Sequence, residues 1–115
     1  MLWMNMKRKL NVLIVGAKGQ LGSYLKNLLQ EDSRRERSIF GIVAGVDLPE
    51  VDISTHWPLE KWLNRNVSNP PIKFHWVINC AAATDTTKIE TDKFGRDASY
   101  RANVLGPKNI AESCV

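Results

Sequence analysis

Leu10-Asn11-Val12-Leu13-Ile14-Val15-Gly16-Ala17-Lys18-Gly19-Gln20-Leu21-Gly22 decides how the rest of the chain is read. Leu10 and Val12 to Val15 form an apolar run that suits a strand buried on both faces. Directly after it, Gly16, Gly19 and Gly22 make a G-x-x-G-x-x-G loop. The residues from Gln20 to Gln30 then take up helical spacing, with Leu21, Leu25, Leu28 and Leu29 expected along one stripe. A buried strand that turns through glycines into a helix places unpaired backbone N–H groups and the positive end of a helix dipole at one point, which suits the pyrophosphate of a dinucleotide. The first glycine is expected to permit the turn, the second to let backbone approach the phosphates and the third to let the helix close on the sheet. On this reading no side chain fits at any of the three.

Outward from this unit, strand and helix signals alternate without repeats. The charged stretch Glu31–Arg37 leads to a second strand at Ile39–Val46, and Val51–Ile53 is expected as a short third one. Pro58 suits a first helical turn, and Leu59, Trp62 and Leu63 share a face of a helix over Pro58–Arg65. Pro70-Pro71 marks a turn before a fourth strand, His75–Cys80. A final helix is expected over Arg96–Ser113, with Pro107 inside it to kink or loosen it. The order β-α-β-β-α-β-α implies an α/β fold, a doubly wound, mostly parallel sheet with helices on both faces. Residues 1–9 read as an N-terminal extension and residues 10–115 as the domain.

Composition sets limits on function. With 115 residues and 43% hydrophobic content the chain suits one modest core. The longest apolar run, Ile39–Val46, is broken by Gly41 and Gly45 and is too short to span a bilayer. The N-terminus lacks the order of a secretory signal, and two cysteines, Cys80 and Cys114, make no disulfide framework, so a cytoplasmic setting is expected. The net charge of +4 is mild, and the cluster Arg34, Arg35 and Arg37 is broken by Glu36, which argues for a solvated surface over a nucleic-acid site. His56 and His75 have no carboxylate or cysteine at metal spacing.

Further candidate residues follow from position. Asp47, at the end of the second strand and 25 residues beyond Gly22, is placed to accept hydrogen bonds from a ribose hydroxyl. Lys18 and Gln20 stand at the rim of the loop, where Lys18 would favour a 2′-phosphate and Asp47 would oppose one, so NAD and NADP both remain open. Ala81, Ala82 and Ala83 put small side chains at the carboxyl end of a central strand, where ligands cross such sheets.

Four segments in order carry a family resemblance: Gly16 to Gly22, Asp47-Leu48-Pro49-Glu50-Val51-Asp52-Ile53-Ser54, Val77-Ile78-Asn79-Cys80-Ala81-Ala82-Ala83-Thr84, and Asn103-Val104-Leu105-Gly106-Pro107-Lys108-Asn109-Ile110-Ala111-Glu112. Together they resemble the N-terminal signatures of dTDP-4-dehydrorhamnose reductases, extended short-chain dehydrogenases that reduce a nucleotide-linked keto-sugar with NADPH or NADH. The resemblance implies a Rossmann-like sheet truncated after about four strands and a cofactor site around Gly16, Lys18, Gly19, Gln20, Leu21 and Gly22. It further implies that Asp52 and Ile53 line the adenine, that Thr84 forms the floor between cofactor and substrate, and that Asn103 supports the nicotinamide end.

Departures from that pattern are equally specific. Thr87 stands before Lys88-Ile89-Glu90 where the family usually has Asp, and the segment Thr91–Ala102, with Gly95, is longer than usual. The Tyr-x-x-x-Lys pair, in which lysine tunes tyrosine as the acid that protonates the substrate oxygen, is missing: Tyr24 is followed four residues on by Leu28, and Tyr100 by Val104. The resulting expectation is the NAD(P)-binding part of a nucleotide-sugar oxidoreductase, inactive alone. The alternative is a non-catalytic dinucleotide-binding module resembling the regulatory subunit of methionine adenosyltransferase. An unpaired strand at His75–Cys80 is expected to drive self-association or pairing with a complementing C-terminal polypeptide.

Overall fold

The computed structural model describes residues 9–48, 51–55, 72–82 and 93–114. Its centre is β1 (Leu10–Val15), which pairs in parallel with β2 (Phe40–Val46) on one side and β3 (Trp76–Asn79) on the other, giving the order β2-β1-β3. Val12, Leu13, Ile14 and Val15 are each 2% exposed or less, as a central strand covered on both faces requires. Alternate side chains feed two cores. Val12 and Ile14 pack with Val43 and with Leu25 and Leu29 of α1 (Gln20–Ser33), while Leu13 and Val15 pack with Val46, Val51, Ile53 and Ile110. Ile110 belongs to α3 (Gly106–Ser113), so helices lie on opposite faces of the sheet. The doubly wound α/β arrangement expected from the alternation of elements is present.

Several boundaries differ from the sequence reading, each for a local reason. Helix α1 runs three residues past Gln30 to Ser33. Its end is closed by Arg34 N–H on the Glu31 carbonyl and Arg35 N–H on the Asp32 carbonyl, and the Ser38 hydroxyl donates to Asp32 Oδ2 at 2.6 Å. The four leucines do not share one stripe facing the sheet. Leu25 and Leu29 pack inward, three and seven residues beyond the buried Gly22, while Leu21 and Leu28 are 65% and 49% exposed. Gly22 sets the rotation of the helix, and the outer leucines turn to solvent.

Val51–Ile53 is not a strand, so the described residues form three strands and not four. Val51 N–H donates to the Asp47 carbonyl, and Asp52 Oδ1 accepts from both the N–H and the hydroxyl of Ser54. Such a side-chain turn competes with ladder pairing. Val51 and Ile53 are nonetheless buried, so their apolarity reports the core and not a strand.

The last helix is already formed at Lys93, ahead of the expected Arg96, and is interrupted: α2 (Lys93–Tyr100) passes into a π-helical turn at Arg101–Leu105 before α3 begins. Pro107 explains the interruption. It offers no N–H to the carbonyl four residues back and its ring crowds that carbonyl, so the preceding turn widens, with Gly106 N–H reaching the Arg101 carbonyl. The expected helix at Pro58–Arg65, the turn at Pro70-Pro71 and residues 1–8 of the extension lie outside the described residues.

At the amino end of the sheet, Asn11 ties the three strands together. Its Oδ1 accepts from Ile42 N–H at 2.8 Å and its Nδ2 donates to the Lys73 carbonyl at 2.9 Å, while its own N–H donates to His75 Nδ1 at 2.9 Å. These bonds sit where the β1–β2 register shifts between Leu10 and Val12, and they replace ladder bonds displaced there. Asn11→Ala should therefore lower unfolding stability by about 1–3 kcal/mol. Asn11→Asp, which keeps the acceptor for Ile42 but sets a carboxylate oxygen against the Lys73 carbonyl, should lose at least as much. Urea titration of the three proteins decides it, and coincident midpoints would show that the side chain bridges nothing of consequence.

Candidate functional site

The glycine loop lies at the carboxyl edge of the sheet, between the ends of β2 and β3. Gly16 N–H and Ala17 N–H both donate to the Val46 carbonyl, at 2.9 and 3.2 Å, and Cys80 N–H donates to the Val15 carbonyl at 2.8 Å. The chain leaves β1 toward β2 by way of α1 and later returns to the far side of β1 as β3, so the loop occupies the point where the strand order reverses. Ligands of open α/β sheets bind at such points.

The three glycines have unequal reasons to be glycine. Gly16 has φ +79°, in the left-handed region, and a Cβ there would come within 2.8 Å of the Ala81 and Cys80 backbone. A Cβ on Gly22 would fall on the Gly16 carbonyl oxygen, with the Gly16 carbonyl carbon at 2.8 Å. Gly19 is different: it has φ −72°, and a Cβ would meet nothing closer than the Gly16 oxygen at 3.5 Å, an ordinary contact. The expectation that no side chain fits at any of the three is therefore corrected at Gly19, where the protein leaves open space. Packing of the protein itself explains Gly16 and Gly22 but not Gly19.

A census of backbone donors locates the groups that face this space. Gly16 and Ala17 N–H are taken by Val46, Lys18 N–H by Asp47 Oδ2 at 2.8 Å, and Gly19 N–H by the Gly16 carbonyl at 3.2 Å. Gly19 is the N-cap of α1 and supplies no capping side chain. The first-turn N–H groups of Gln20, Leu21 and Gly22 lie ahead of the first intrahelical bond, from Ser23 N–H to the Gly19 carbonyl. Gln20 and Leu21 are exposed and Gly22 is buried, so a phosphate would meet the donors at Gln20 and Leu21, over the open side of Gly19. This is a cradle that a side chain at Gly19 would fill.

The remaining candidates are spread more widely. Asp47 is half-buried beside the loop, and Lys18 Nζ donates to the Leu48 carbonyl at 2.9 Å. Ala81 is half-buried against Gly16, with its N–H on Asn79 Oδ1 at 3.0 Å, and Ala82 is exposed. Asp52 is exposed in its turn. Ile53 packs in the core, where a Cβ on Gly106 would come 2.5 Å from its Cδ1, and its carbonyl accepts from Asn109 Nδ2 at 2.9 Å. Asn103 is exposed in the π-helical turn and donates to Ser99 Oγ at 3.2 Å. Ala83, Thr84 and Thr87 lie outside the described residues. A separate hollow of about 250 Å³, lined by Lys73, His75 and Cys114 among others, lies at the amino end of β3 and has no part in this site. Among the described residues no cluster of His, Cys, Asp or Glu is arranged to hold a metal ion.

Two features escaped sequence reasoning. Asn79 and Asn109 each anchor a backbone group near the site; a polar amide closing the apolar run Trp76–Ile78 is a signal for Asn79, and Asn109, after Lys108, has no such signal. Asp47, expected from its position to receive a ribose, also accepts backbone N–H groups of this chain on both carboxylate oxygens, from Lys18 and Leu48.

Fold and loop together define a Rossmann-like α/β domain of the reductase type. The chain belongs to the family described as RmlD substrate binding domain, whose model matches residues 10–115. Among solved structures it is similar to dTDP-4-dehydrorhamnose reductase from Bacillus anthracis str. Ames, determined in complex with NADP, with a TM-score of 0.66 and 28% identity. The match covers 91% of this chain and 32% of that one, so the chain spans about a third of that reductase. No curated relative matches it. The family expected from the four motifs is the family found.

Substitutions separate the two kinds of glycine. Gly16→Ala and Gly22→Ala should each destabilise the protein by roughly 2–4 kcal/mol, from left-handed strain in the first case and overpacking in both. Gly19→Ala should change stability by less than about 0.5 kcal/mol. Chemical denaturation measures all three, and a large loss at Gly19 would show that the fold itself needs that glycine.

Proposed function

We infer that this chain is the NAD(P)-binding part of a nucleotide-sugar oxidoreductase resembling dTDP-4-dehydrorhamnose reductase. The observation that carries the reading is the open space over Gly19, faced by the N–H groups of Gln20 and Leu21. The NADP in the similar reductase structure supports the same cofactor class here. Gly19, Gln20 and Leu21 receive the pyrophosphate, Gly16 and Gly22 shape the loop that brings them to it, and Lys18 and Asp47 lie beside the loop. Asp52, Ile53, the alanines Ala81 to Ala83, Thr84 and Asn103 complete the site by the family pattern. When bound, a reduced nicotinamide supplies hydride; these residues supply its binding and orientation.

The 115 residues hold no Tyr-x-x-x-Lys pair to supply the proton that a keto-sugar reduction needs, so this chain binds cofactor without turning over alone. That same feature favours the second reading, a dinucleotide-binding regulatory module. The free thiols of Cys80 and Cys114 suit a cytoplasmic setting, and no helix among the described residues is long and apolar enough to cross a membrane. Among the described residues β3 pairs only with β1, and Trp76 on it is 59% exposed, which supports self-association or pairing with a second polypeptide along this edge.

In calorimetric titration the chain should bind NADPH or NADH, and Gly19→Val should abolish binding while leaving the protein folded. Equal affinity for both proteins would sink the cofactor assignment. With the same preparation, reduction of dTDP-4-dehydrorhamnose should not exceed the buffer blank, and light scattering over a concentration series should report association. Turnover that survives repurification would place an acid in this chain, and a monomer at every concentration would refute the open edge.

A further inference from the structure

Asp47 ends β2 where dinucleotide folds place an acidic residue for the ribose. Its carboxylate is already engaged by the chain. Oδ2 accepts from Lys18 N–H at 2.8 Å and Oδ1 from Leu48 N–H at 2.8 Å, while its carbonyl accepts from Val51 N–H at 3.0 Å. Of the four loop amides from Gly16 to Gly19, three donate to backbone carbonyls and only that of Lys18 depends on a side chain. A carboxylate acceptor makes this tie a charge-assisted one, a kind of bond stronger than its neutral counterpart. Lys18 is held a second time through Nζ on the Leu48 carbonyl, so both partners of the tie lie on the same turn after β2.

We propose that Asp47 is a positioning residue: its carboxylate fixes the Lys18 amide and so holds the glycine loop in its phosphate-receiving form before any nucleotide arrives. It acts on NAD and NADP alike, because what it positions is the loop under the shared pyrophosphate and not the ribose that distinguishes them. The proposal rests on the reading of this loop as a dinucleotide site. Each oxygen already has a backbone donor, from Lys18 and from Leu48, so the carboxylate holds this geometry before any ligand arrives, with acceptor capacity left over on both oxygens.

The test uses the full chain without nucleotide, then with NADPH and NADH separately. By amide hydrogen exchange, Asp47→Ala should speed exchange at Lys18 by about tenfold or more, with the β1 amides from Val12 to Val15 unchanged. Asp47→Asn, which keeps one oxygen acceptor, should restore part of the protection. In titrations, Asp47→Ala should weaken NADPH and NADH by the same factor, about tenfold, leaving their ratio within roughly twofold of the parent. Unaltered Lys18 exchange, or a loss confined to NADH while NADPH holds or improves, would overturn the proposal and return Asp47 to the ribose. Should the parent bind neither nucleotide, the dinucleotide reading fails instead, and the exchange data alone decide whether Asp47 holds the loop.

Discussion

The constraint on which everything else depends is the contact between Gly22 and Gly16. The first turn of α1 lies so close to the turn leaving β1 that the Gly16 carbonyl occupies the place of a Gly22 side chain. This contact fixes three quantities together: the height of the helix over the sheet, its rotation about its own axis, and the direction in which its unpaired N–H groups point. Rotation decides which leucines are core, so Leu25 and Leu29 pack against Val12, Ile14 and Val43, while Leu21, Tyr24 and Leu28 face outward. The same rotation turns the N-terminus of the helix to the carboxyl edge of the sheet, where β2 and β3 end. A binding site and a packing arrangement thus have one cause, a glycine pair that lets two backbones approach more closely than side chains permit.

Where the fold was legible in the sequence, the signal was physical and strong. The continuous apolar run at Leu10–Val15 demanded cover on both faces, and two cores meeting on β1 provide it. The motif order gave strand, helix and strand correctly because each boundary coincides with a glycine turn or a charged connection. Legibility failed where one property served two causes. Val51 and Ile53 are apolar because they fill the core under α3, not because they pair in a ladder, and the turn chemistry of Asp52 with Ser54 outweighs three residues of strand propensity. Helical spacing likewise gave α1 its existence but not its orientation, since leucines spread over a wide arc fit several rotations and only Gly22 chooses among them. Pro107 was readable as a disturbance; the form it takes, a widened π turn upstream in which Gly106 N–H reaches the Arg101 carbonyl, was not.

The site was legible as a list of positions and less so as a division of labour. Sequence spacing placed Asp47 near the loop and the structure puts it there, but spacing cannot say which atom its carboxylate meets. The polar tethers Asn11, Asn79 and Asn109 each bond to backbone groups, Asn11 at the register break, Asn79 just past β3 and Asn109 at Ile53 in its turn, and the side-chain partners of Asn11 and Asn109 are 31 to 62 positions away in sequence. Long-range partners of that kind become visible only when the sheet order is known.

Gly19 then separates folding from function. A residue that the protein's own packing would allow to be alanine, at an ordinary φ of −72°, has no folding reason to be glycine, whereas its two companions do. The space it leaves is bounded by amides at Gln20 and Leu21 that neither the loop nor a capping side chain engages. Unpaired donors at a helix start favour an anion, and the open Cα beside them gives an anion of phosphate size direct access to the backbone. A terminal phosphate and a bridging pyrophosphate would share these donors, but among the described residues the carboxyl edge continues on both sides of the loop, to the end of β2 at Asp47 and to the small residues Ala81 and Ala82 after β3. A ligand with groups on both sides of its phosphates follows that line, which is why the arrangement fits a dinucleotide better than a single phosphate group.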